Sequence, residues 1–327
     1  MGAFSVSTRM IVTVTLNAAI DRTLVVPSFQ LGLRHRASAA FPSAGGKGIN
    51  VARALKRLGA PVVCTGLAGG RTGTLIVEEL TGEGVLNDFV RIREESRTSI
   101  AVLDPTANVH TEINEWGPEV SADELEILRE KLAYLTQRAE FVVLAGSLPR
   151  GVDPGFYREL VRDLNRRQLL AVLDADGEAL RLGVEAEPYL VSPNQREAEA
   201  LVGHEFVDEE DLAAALDEIA SLGARNVIVT LPTGCYALLR EDRTEIRLRA
   251  VAPHIEPIST VGAGDTLLAG FIAARVGGRS FEDSVRAAVA AGAASVLEAG
   301  AGRFDTREAN RLAPLVQIEH LERVAHE

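Results

Sequence analysis

The stretch FVVLAGSLPRGVDPGFYRELVRDLNRRQLLAVLD, residues 141–174, decides the fold of this chain. It begins with an apolar run at 141–144, continues through an amphipathic stretch at 154–167, and returns to an apolar run at 169–174. Short apolar runs on either side of a helical stretch are typical of a strand–helix–strand unit whose parallel strands are buried on both faces. The segment therefore predicts a parallel α/β sheet.

The same alternation continues along the chain on both sides of this unit. Apolar, β-branched runs alternate with amphipathic stretches, which predicts a doubly wound, mostly parallel sheet with helices on both faces. The final third differs, because two alanine-rich helical stretches, 266–276 and 281–297, have no obvious strand between them. The predicted strands are residues 11–16, 62–66, 141–144, 169–174, 189–192 and 226–231, and the predicted helices are residues 50–58, 74–83, 122–137, 154–167, 195–202 and 209–222.

Two segments interrupt this alternation. Residues 21–41 and 97–114 contain alternating apolar and polar residues, a pattern typical of half-exposed antiparallel strands. Because both lie between α/β units, we expect them to pair into one small sheet that could close over a ligand. A surface hairpin without a role is the alternative. The predicted division is a core domain of residues 10–16, 42–95 and 115–327 and a β-sheet lid of residues 17–41 and 96–114.

Charge and composition argue against several classes of function. The 327 residues contain 34 Lys and Arg against 46 Asp and Glu, a net charge of −12, so the surface repels nucleic acid and anionic lipid. No apolar run approaches the ~20 residues of a membrane-spanning helix, and residues 1–9 lack the apolar stretch of a secretory signal. The two isolated cysteines, Cys64 and Cys235, form neither a disulfide framework nor a metal motif, which is typical of the reducing cytoplasm.

The strongest local motif is STVGAGD at residues 259–265, which runs directly into a predicted helix. Gly262, Ala263 and Gly264 allow N–H groups to converge on one point, where the helix dipole adds about half a positive charge. Such a point suits an anion such as a phosphoryl group in transfer, and Asp265 beside it could accept a proton from an attacking hydroxyl. The alternative is that Asp265 only caps the helix.

A second glycine-rich motif, AGGKGINVA at residues 44–52, also opens a predicted helix. Gly45, Gly46 and a third glycine, together with Lys47, allow a polar ligand to approach the backbone closely. The motif is not a Walker phosphate loop, because the lysine is followed by glycine rather than by serine or threonine. No Gly-x-Gly-x-x-Gly follows the first strand, which counts against a dinucleotide-dependent dehydrogenase. A flexible loop is the alternative.

Polar residues also follow two of the predicted strands. Asp21 comes shortly after the first strand, and carboxylates at the strand ends of an open α/β sheet face the ligand crevice, so Asp21 could hold sugar hydroxyls. A turn residue is the alternative. Asn194 and Glu197 follow the strand 189–192 and share one helical face, where their oxygens could bind Mg²⁺ directly or through water. The alternative is a capping arrangement at the helix start.

The order of these motifs resembles the ribokinase-like carbohydrate kinases, in their phosphofructokinase-B branch. The resemblance covers residues 13–302, with its two signatures at 45–52 and 260–266. It implies ATP-dependent transfer of the γ-phosphoryl group to a hydroxyl of a ketohexose phosphate, of the fructose 1-phosphate or tagatose 6-phosphate type. Four further motifs are similar to the hexose-phosphate kinases of this branch, which are the 1-phosphofructokinases, the tagatose-6-phosphate kinases and the minor 6-phosphofructokinases. These motifs lie at residues 15–21, 111–115, 146–149 and 193–197.

The resemblance also implies roles for individual residues. Asp265 would be the general base, and Gly262, Ala263 and Gly264 would form the anion hole. Arg97 would bind the phosphate of the sugar, because a guanidinium can hold a phosphate through two hydrogen bonds. The residues implied to orient the sugar are Asp21, Gly45, Gly46 and Asn50, with Lys47, Arg34 or Arg36 assisting Arg97. The residues implied to place ATP and Mg²⁺ are Asn194, Glu197, Thr230, Gly234 and Gly264.

Two positions depart from the family pattern on the nucleotide side. Ser192 stands where a lysine usually precedes Pro-Asn, and Pro232 lies in a usually glycine-rich turn, where it offers no N–H. Two alternatives therefore stay open: a kinase of an unphosphorylated sugar or nucleoside, and an inactive regulator that binds nucleotide or sugar. The resemblance further implies a homodimer through the lid, and it leaves open whether a monovalent cation activates the anion hole.

Overall fold

The computed structural model of the protein describes residues 10–107, 109–241, 244–298 and 300–322. Residues 1–9, which we expect to lack a secretory signal, lie outside that part of the chain. The strands are β1 (Met10–Thr15), β2 (Ala19–Val25), β3 (Ala39–Gly45), β4 (Val62–Gly69), β5 (Val90–Ile92), β6 (Arg97–Asp104), β7 (Val109–Asn114), β8 (Ala139–Ala145), β9 (Leu170–Asp174), β10 (Leu190–Val191), β11 (Val227–Leu231), β12 (Gly234–Glu241), β13 (Thr244–Val251) and β14 (Gln317–His320). The helices are α1 (Lys47–Arg57), α2 (Gly70–Gly82), α3 (Ala122–Leu135), α4 (Phe156–Arg166), α5 (Gly177–Val184), α6 (Gln195–Val202), α7 (Glu209–Ser221), α8 (Ala263–Val276), α9 (Phe281–Ser295) and α10 (Thr306–Leu312).

A large sheet of ten of these strands has the order β14-β13-β12-β11-β10-β9-β8-β1-β4-β5. The part from β11 to β5 is parallel throughout. Successive strand residues point to opposite faces, so Val12 and Val14 pack with helices α3 to α7, whereas Ile11 packs with α1, α2 and α8 to α10. The predicted fold class, a doubly wound and mostly parallel sheet flanked by helices, is confirmed.

The sequence does not predict the antiparallel edge of this sheet, where β11, β12, β13 and β14 pair in succession. A two-residue turn joins β11 to β12, so Pro232 lies in a hairpin turn, where no strand N–H is needed. The signal for β13 is its period-two pattern, in which Ile246, Leu248 and Ala250 alternate with Arg247 and a second arginine.

The other four strands form a small sheet in the order β3-β2-β6-β7. Strand β2 pairs antiparallel with β3, and β6 with β7, but β2 and β6 are parallel to each other. The expectation of antiparallel strands alone is therefore wrong. Strands β2 and β6 both leave the large sheet, after β1 and β5, and run outward side by side, which makes their pairing parallel. Strand β3 also continues to Gly45, inside the segment 42–95 that we expected to belong to the core.

Among the described residues, no helix is long and apolar enough to cross a bilayer. Two helices begin earlier than the sequence predicts: α1 begins at Lys47 rather than at residue 50, and α8 at Ala263 rather than at residue 266. These starts place both glycine motifs at first turns, where backbone N–H groups lack partners within the helix. The short elements β5, α5 and α10 are not predicted from the sequence.

Candidate active site

The strand order of the large sheet reverses between β1 and β8, which form its topological switch point. The chain continues from β1 outward to β4 and β5, and from β8 the other way to β9, β10 and β11. The connections at the carboxyl ends of β1 and β8 therefore diverge around a crevice, which is where open α/β sheets bind ligands. Asn17 after β1 and Ser147 after β8 meet there, through a 3.1 Å hydrogen bond from Asn17 Nδ2 to Ser147 Oγ.

Asp265 lies in the first turn of α8. The N-cap position is taken by Gly262, whose φ of 77° is in the left-handed region that glycine tolerates, and no side chain caps this helix. Asp265 is therefore not the capping residue, and that alternative is wrong. Asp265 is 7% exposed, and its Oδ2 accepts a 2.8 Å hydrogen bond from Asn50 Nδ2. Two predicted site residues from distant parts of the chain thus meet in one buried contact.

The titration of Asp265 is shifted by its surroundings. Burial raises the pKa of Asp265 to about 7; Asp174 and Glu197 act in the same direction, whereas Lys47 and the hydrogen bond from Asn50 oppose them. A carboxylate that titrates near neutrality can both accept a proton and release it at ordinary pH. Asp265 is therefore a buried carboxylate whose pKa lies well above its usual value.

The glycine motif before α8 leaves one side of the helix start open. The N–H of Ala263 donates to Thr260 O at 3.3 Å, so it is engaged within the turn. At Gly264, by contrast, an added Cβ would meet only Thr230 Oγ1, at 3.8 Å. Of the predicted anion-hole residues, Gly264 therefore has the most open backbone.

Lys47, the first residue of α1, reaches across the crevice to two carboxylates. Its Nζ lies 2.9 Å from Asp174 Oδ1 and 3.0 Å from Glu197 Oε1. Although burial alone would lower it, the pKa of Lys47 is raised above its usual value by Asp174, Glu197 and Asp265. Burial raises the pKa of Glu197, with Lys47 opposing. The arrangement places one half-buried cation among three carboxylates.

Asn194 and Glu197 form the capping box that was the alternative for this motif. Asn194 Oδ1 accepts from the N–H of Glu197 at 3.0 Å, and Glu197 Oε2 accepts from the N–H of Asn194 at 2.9 Å. Thr230 lies beside them, because its N–H donates to Pro193 O at 2.9 Å. Glu197 thus caps α6 with one oxygen and binds Lys47 with the other. The predicted nucleotide residue Gly234 lies beyond the hairpin turn, at the start of β12, paired with Leu231.

Asp21 lies in β2, directly against the backbone of Gly45. A side chain at Gly45 would bring its Cβ within 1.9 Å of Asp21 Oδ2, so any other residue there would displace the Asp21 carboxylate. Burial raises the pKa of Asp21, whereas the nearby Arg97 guanidinium and a hydrogen bond with Ser99 lower it. Asp21 is a strand residue, so the alternative of a turn residue is wrong.

Arg97 begins β6 on the strand next to Asp21. Its Nε donates to Asn17 O at 3.2 Å and its Nη1 to Glu115 O at 3.4 Å, which fixes the plane of the guanidinium. Burial lowers the pKa of Arg97, while Asp21, Asp176 and Glu115 raise it. By contrast, the two arginines proposed to assist, Arg34 and Arg36, are exposed on the connection between β2 and β3.

Comparison with known proteins identifies the family. The family model described as pfkB family carbohydrate kinase matches residues 10–307. The chain belongs to the pfkB family. It is 32% identical to 1-phosphofructokinase of Borreliella burgdorferi over 312 residues, 95% of this chain and 99% of that protein. It is 28% identical to tagatose-6-phosphate kinase of Staphylococcus epidermidis over 313 residues, 94% of this chain and 99% of that protein.

Solved structures agree with this assignment. Phosphofructokinase-2 of Escherichia coli, in complex with substrates and products, matches with a TM-score of 0.85 at 30% identity, covering 94% of this chain and 99% of that chain. The same enzyme has been solved in a tetrameric inhibited form. As a pfkB kinase, this chain is an ATP-dependent carbohydrate kinase, and its named relatives support a sugar phosphate as the acceptor. The resemblance read from the motifs is confirmed, and the inactive regulator is set aside.

Sequence reasoning gave no role to two residues of this candidate site, Asp174 and Ser147, although Ser147 lies in the motif 146–149 that resembles the family. Asp174 ends the predicted strand 169–174, so the rule that selected Asp21, a carboxylate at a strand end, also points to it. Ser147 follows the strand β8 in the same way. The rule does not predict that Asp174 binds Lys47, because the two residues are 127 positions apart in the chain.

The residues present fit a magnesium ion. Within the described residues, no group of three or more His, Cys, Asp or Glu side chains has the geometry of a metal site. Mg²⁺ in phosphoryl-transfer enzymes is instead bound by one or two carboxylates together with the phosphates of the substrate. Asp174 and Glu197 are such a pair of oxygen donors, held near the start of α8 by their shared contact with Lys47.

Proposed function

We propose that this kinase transfers the γ-phosphoryl group of ATP to a hydroxyl of a ketohexose phosphate, of the fructose 1-phosphate or tagatose 6-phosphate type. The observation that carries the proposal is the buried Asp265 carboxylate. It does not cap α8, it accepts a hydrogen bond from Asn50, and its pKa is raised to about 7. The family supports the reaction class, and the proposal adds the acceptor and the roles of the residues.

In the proposed step, Asp265 accepts the proton of the acceptor hydroxyl as its oxygen attacks the γ-phosphorus. The new P–O bond forms while the bond to the bridging oxygen of ATP breaks, and its electron pair leaves with ADP. Phosphoryl transfer depends mostly on positioning and charge stabilisation. The start of α8 at Gly264 and the ammonium of Lys47 would stabilise the negative charge on the transferring group.

The acceptor would lie between Asp21 and Asp265. Asp21 is a partly desolvated carboxylate that can accept hydrogen bonds from sugar hydroxyls, and the lack of a side chain at Gly45 lets the backbone pass directly beside it. Asn50, whose Oδ1 is buried without a hydrogen-bond partner, would accept from a hydroxyl while its Nδ2 holds Asp265. These contacts aim the reacting hydroxyl at the base.

The phosphate of the acceptor would bind Arg97. Its guanidinium is half-buried, and burial strengthens its attraction to an anion because water screens the charge less there. An unphosphorylated sugar would leave this charge facing only the carboxylates of Asp21, Asp176 and Glu115. This is the reason to prefer a sugar phosphate over a free sugar or a nucleoside.

Glu197 and Asn194, with Asp174 beside them, would hold Mg²⁺. The ion would supply charge neutralisation at the ATP phosphates. Thr230 and Gly264 would contact the nucleotide, and Gly234 stays a prediction for the same role. Lys47 places an ammonium 3.0 Å from Glu197, so this side of the site contains a cationic side chain even though residue 192 is serine.

The experiment that tests the acceptor is a panel of fructose 1-phosphate, fructose 6-phosphate, tagatose 6-phosphate, fructose and adenosine, with ADP formation as the readout. We expect turnover to be highest with a ketohexose phosphate. Replacing Arg97 by alanine should raise KM for that substrate by ~10-fold or more, since a hydrogen bond to a charged group contributes about 1.5–3 kcal/mol, and should change KM for free fructose little.

The matched control is Arg22→Ala, which removes an exposed arginine from β2 of the same small sheet. An equal effect of Arg97→Ala on phosphorylated and unphosphorylated acceptors, or an equal effect of Arg22→Ala, would contradict the role given to Arg97. A panel in which only free sugars or nucleosides react would overturn the proposed acceptor.

The small sheet would act as a lid over the acceptor and as the contact between two subunits of a cytoplasmic homodimer. Its exposed apolar side chains support this, because Phe41 and Ile113 are 58% and 59% exposed on it. The strands β3 and β7 are also open edges of the small sheet.

A further inference from the structure

The proposed mechanism does not use an ion cluster that surrounds the buried Arg53 behind the acceptor site. Arg53 of α1 is 3% exposed and donates from Nε to Glu83 at 2.6 Å and from Nη2 to Glu79 at 3.1 Å. Arg303 approaches the same two acids, with Nη2 2.7 Å from Glu83 Oε1 and 3.4 Å from Glu79 Oε1. The cluster therefore links α1, the end of α2 and the segment before α10.

The same cluster binds both backbone polar groups of one residue in the small sheet, Ala44. The N–H of Ala44 donates to Glu79 Oε2 at 2.8 Å, and the C=O of Ala44 accepts from Arg53 Nη1. Strand β3 is an edge of the small sheet, so these two groups have no neighbouring strand to pair with. A third bond, from Ser43 Oγ to Glu79 Oε1 at 3.1 Å, holds the preceding residue.

The residues after Ala44 are those placed at the acceptor. Gly45 packs against the carboxylate of Asp21, with too little space for even one methyl group between them. Lys47 follows and opens α1, the helix that also carries Asn50. A displacement of the Ala44 peptide would therefore move Gly45 and Asp21 relative to Asp265.

We propose that Arg53 and Glu79 are positioning residues for the acceptor. By hydrogen bonds to the C=O and the N–H of Ala44 they form a clamp that fixes the end of β3 against the core. The inference rests on the proposed function, because it takes the acceptor to bind beside Asp21 and Gly45. Glu79 acts through the N–H of Ala44, whereas Arg53 acts through the C=O of Ala44 and also through its charge, which lowers the pKa of Asp21. The small sheet can then move at its far end while its near end keeps the geometry of the site.

The test compares Glu79→Met with Arg303→Met. The first removes the acceptor of the Ala44 N–H, whereas the second removes a charge from the same cluster without touching β3. KM and kcat are measured separately for acceptor and ATP, melting temperature is measured by calorimetry, and amide exchange of residues 39–46 is measured by mass spectrometry. A third variant, Glu79→Gln, keeps an oxygen that can accept from Ala44.

We expect Glu79→Met to raise KM for the acceptor about 10-fold, within the range that small displacements of a binding site produce, and to speed exchange in 39–46, with KM for ATP unchanged. Arg303→Met should lower the melting temperature but leave acceptor KM within about twofold, and Glu79→Gln should restore most of the acceptor KM. Equal effects of Glu79→Met and Arg303→Met on acceptor KM, or no rescue by glutamine, would show a structural role only and overturn the clamp.

The exchange measurement separates this inference from the proposed function. If no sugar phosphate is turned over by the wild-type enzyme, the proposed acceptor is wrong. The clamp itself is overturned if residues 39–46 exchange no faster in Glu79→Met than in the wild type, whatever the substrate.

Discussion

Asp265 and Lys47 are the two titratable side chains on which the proposed reaction depends most. Asp265 is buried, so water stabilises its charge poorly, and two further carboxylates, Asp174 and Glu197, oppose its ionisation. Lys47 lies between those two carboxylates and acts against both effects. The ionisation of Asp265, the proposed base, is therefore set by burial and by the opposing effects of these two carboxylates and Lys47.

The pH dependence of kcat/KM for the acceptor measures this balance in the free enzyme. Asp265 must be ionised to accept a proton, and its pKa is raised to about 7, so activity should be lost as the pH falls through that value. We expect kcat/KM to rise between about pH 6 and pH 8, and Lys47→Met to move the midpoint upward, because Lys47 lowers the pKa of Asp265. A profile that is flat over this range, or one that Lys47→Met moves downward, would contradict the assignment.

Among the elements, the parallel strands were predictable and their long-range partners were not. A strand buried on both faces is a continuous apolar run, which identifies β8 and β9 from the sequence alone. The parallel pairing of β2 with β6 depends instead on where the chain leaves the large sheet after β1 and after β5. No local sequence pattern predicts those two positions. The same holds for the site: the glycine motifs are local signals, but the contact of Asn50 with Asp265 spans 215 residues.

The oligomeric state of the protein tests the proposed role of the small sheet. If its exposed apolar faces join two subunits, Ile113→Asp should convert the protein to a monomer, because a buried and unpaired carboxylate is costly at an interface. Size-exclusion chromatography with light scattering would measure the mass. Ile127→Asp on α3 is the matched control, since Ile127 is 49% exposed outside the small sheet. A wild-type protein that is monomeric, or an equal loss of mass in both variants, would contradict the proposal.

The net charge of the whole molecule has the same sign as the charge of its proposed ligands. The chain carries a net charge of −12, yet ATP and a sugar phosphate are anions. Attraction must come from local groups, and at the switch point of the sheet the fold gathers Lys47, Arg97 and the start of α8. Lys47 and Glu197 come from segments 150 residues apart, so this grouping of cationic side chains with their acidic partners exists only in the folded chain.

The steady-state kinetics of Asp265→Asn test directly whether Asp265 is the general base. Asp176→Asn is the control for loss of a nearby carboxylate. The folded-state pKa of Asp265 is raised, so its charge costs stability as the pH rises through about 7; the neutral variant should therefore melt no lower than the wild type at pH 8. We predict a fall in kcat of ~100-fold or more with both KM values near those of the wild type. A near-wild-type kcat in Asp265→Asn would contradict the claim that this carboxylate is the base.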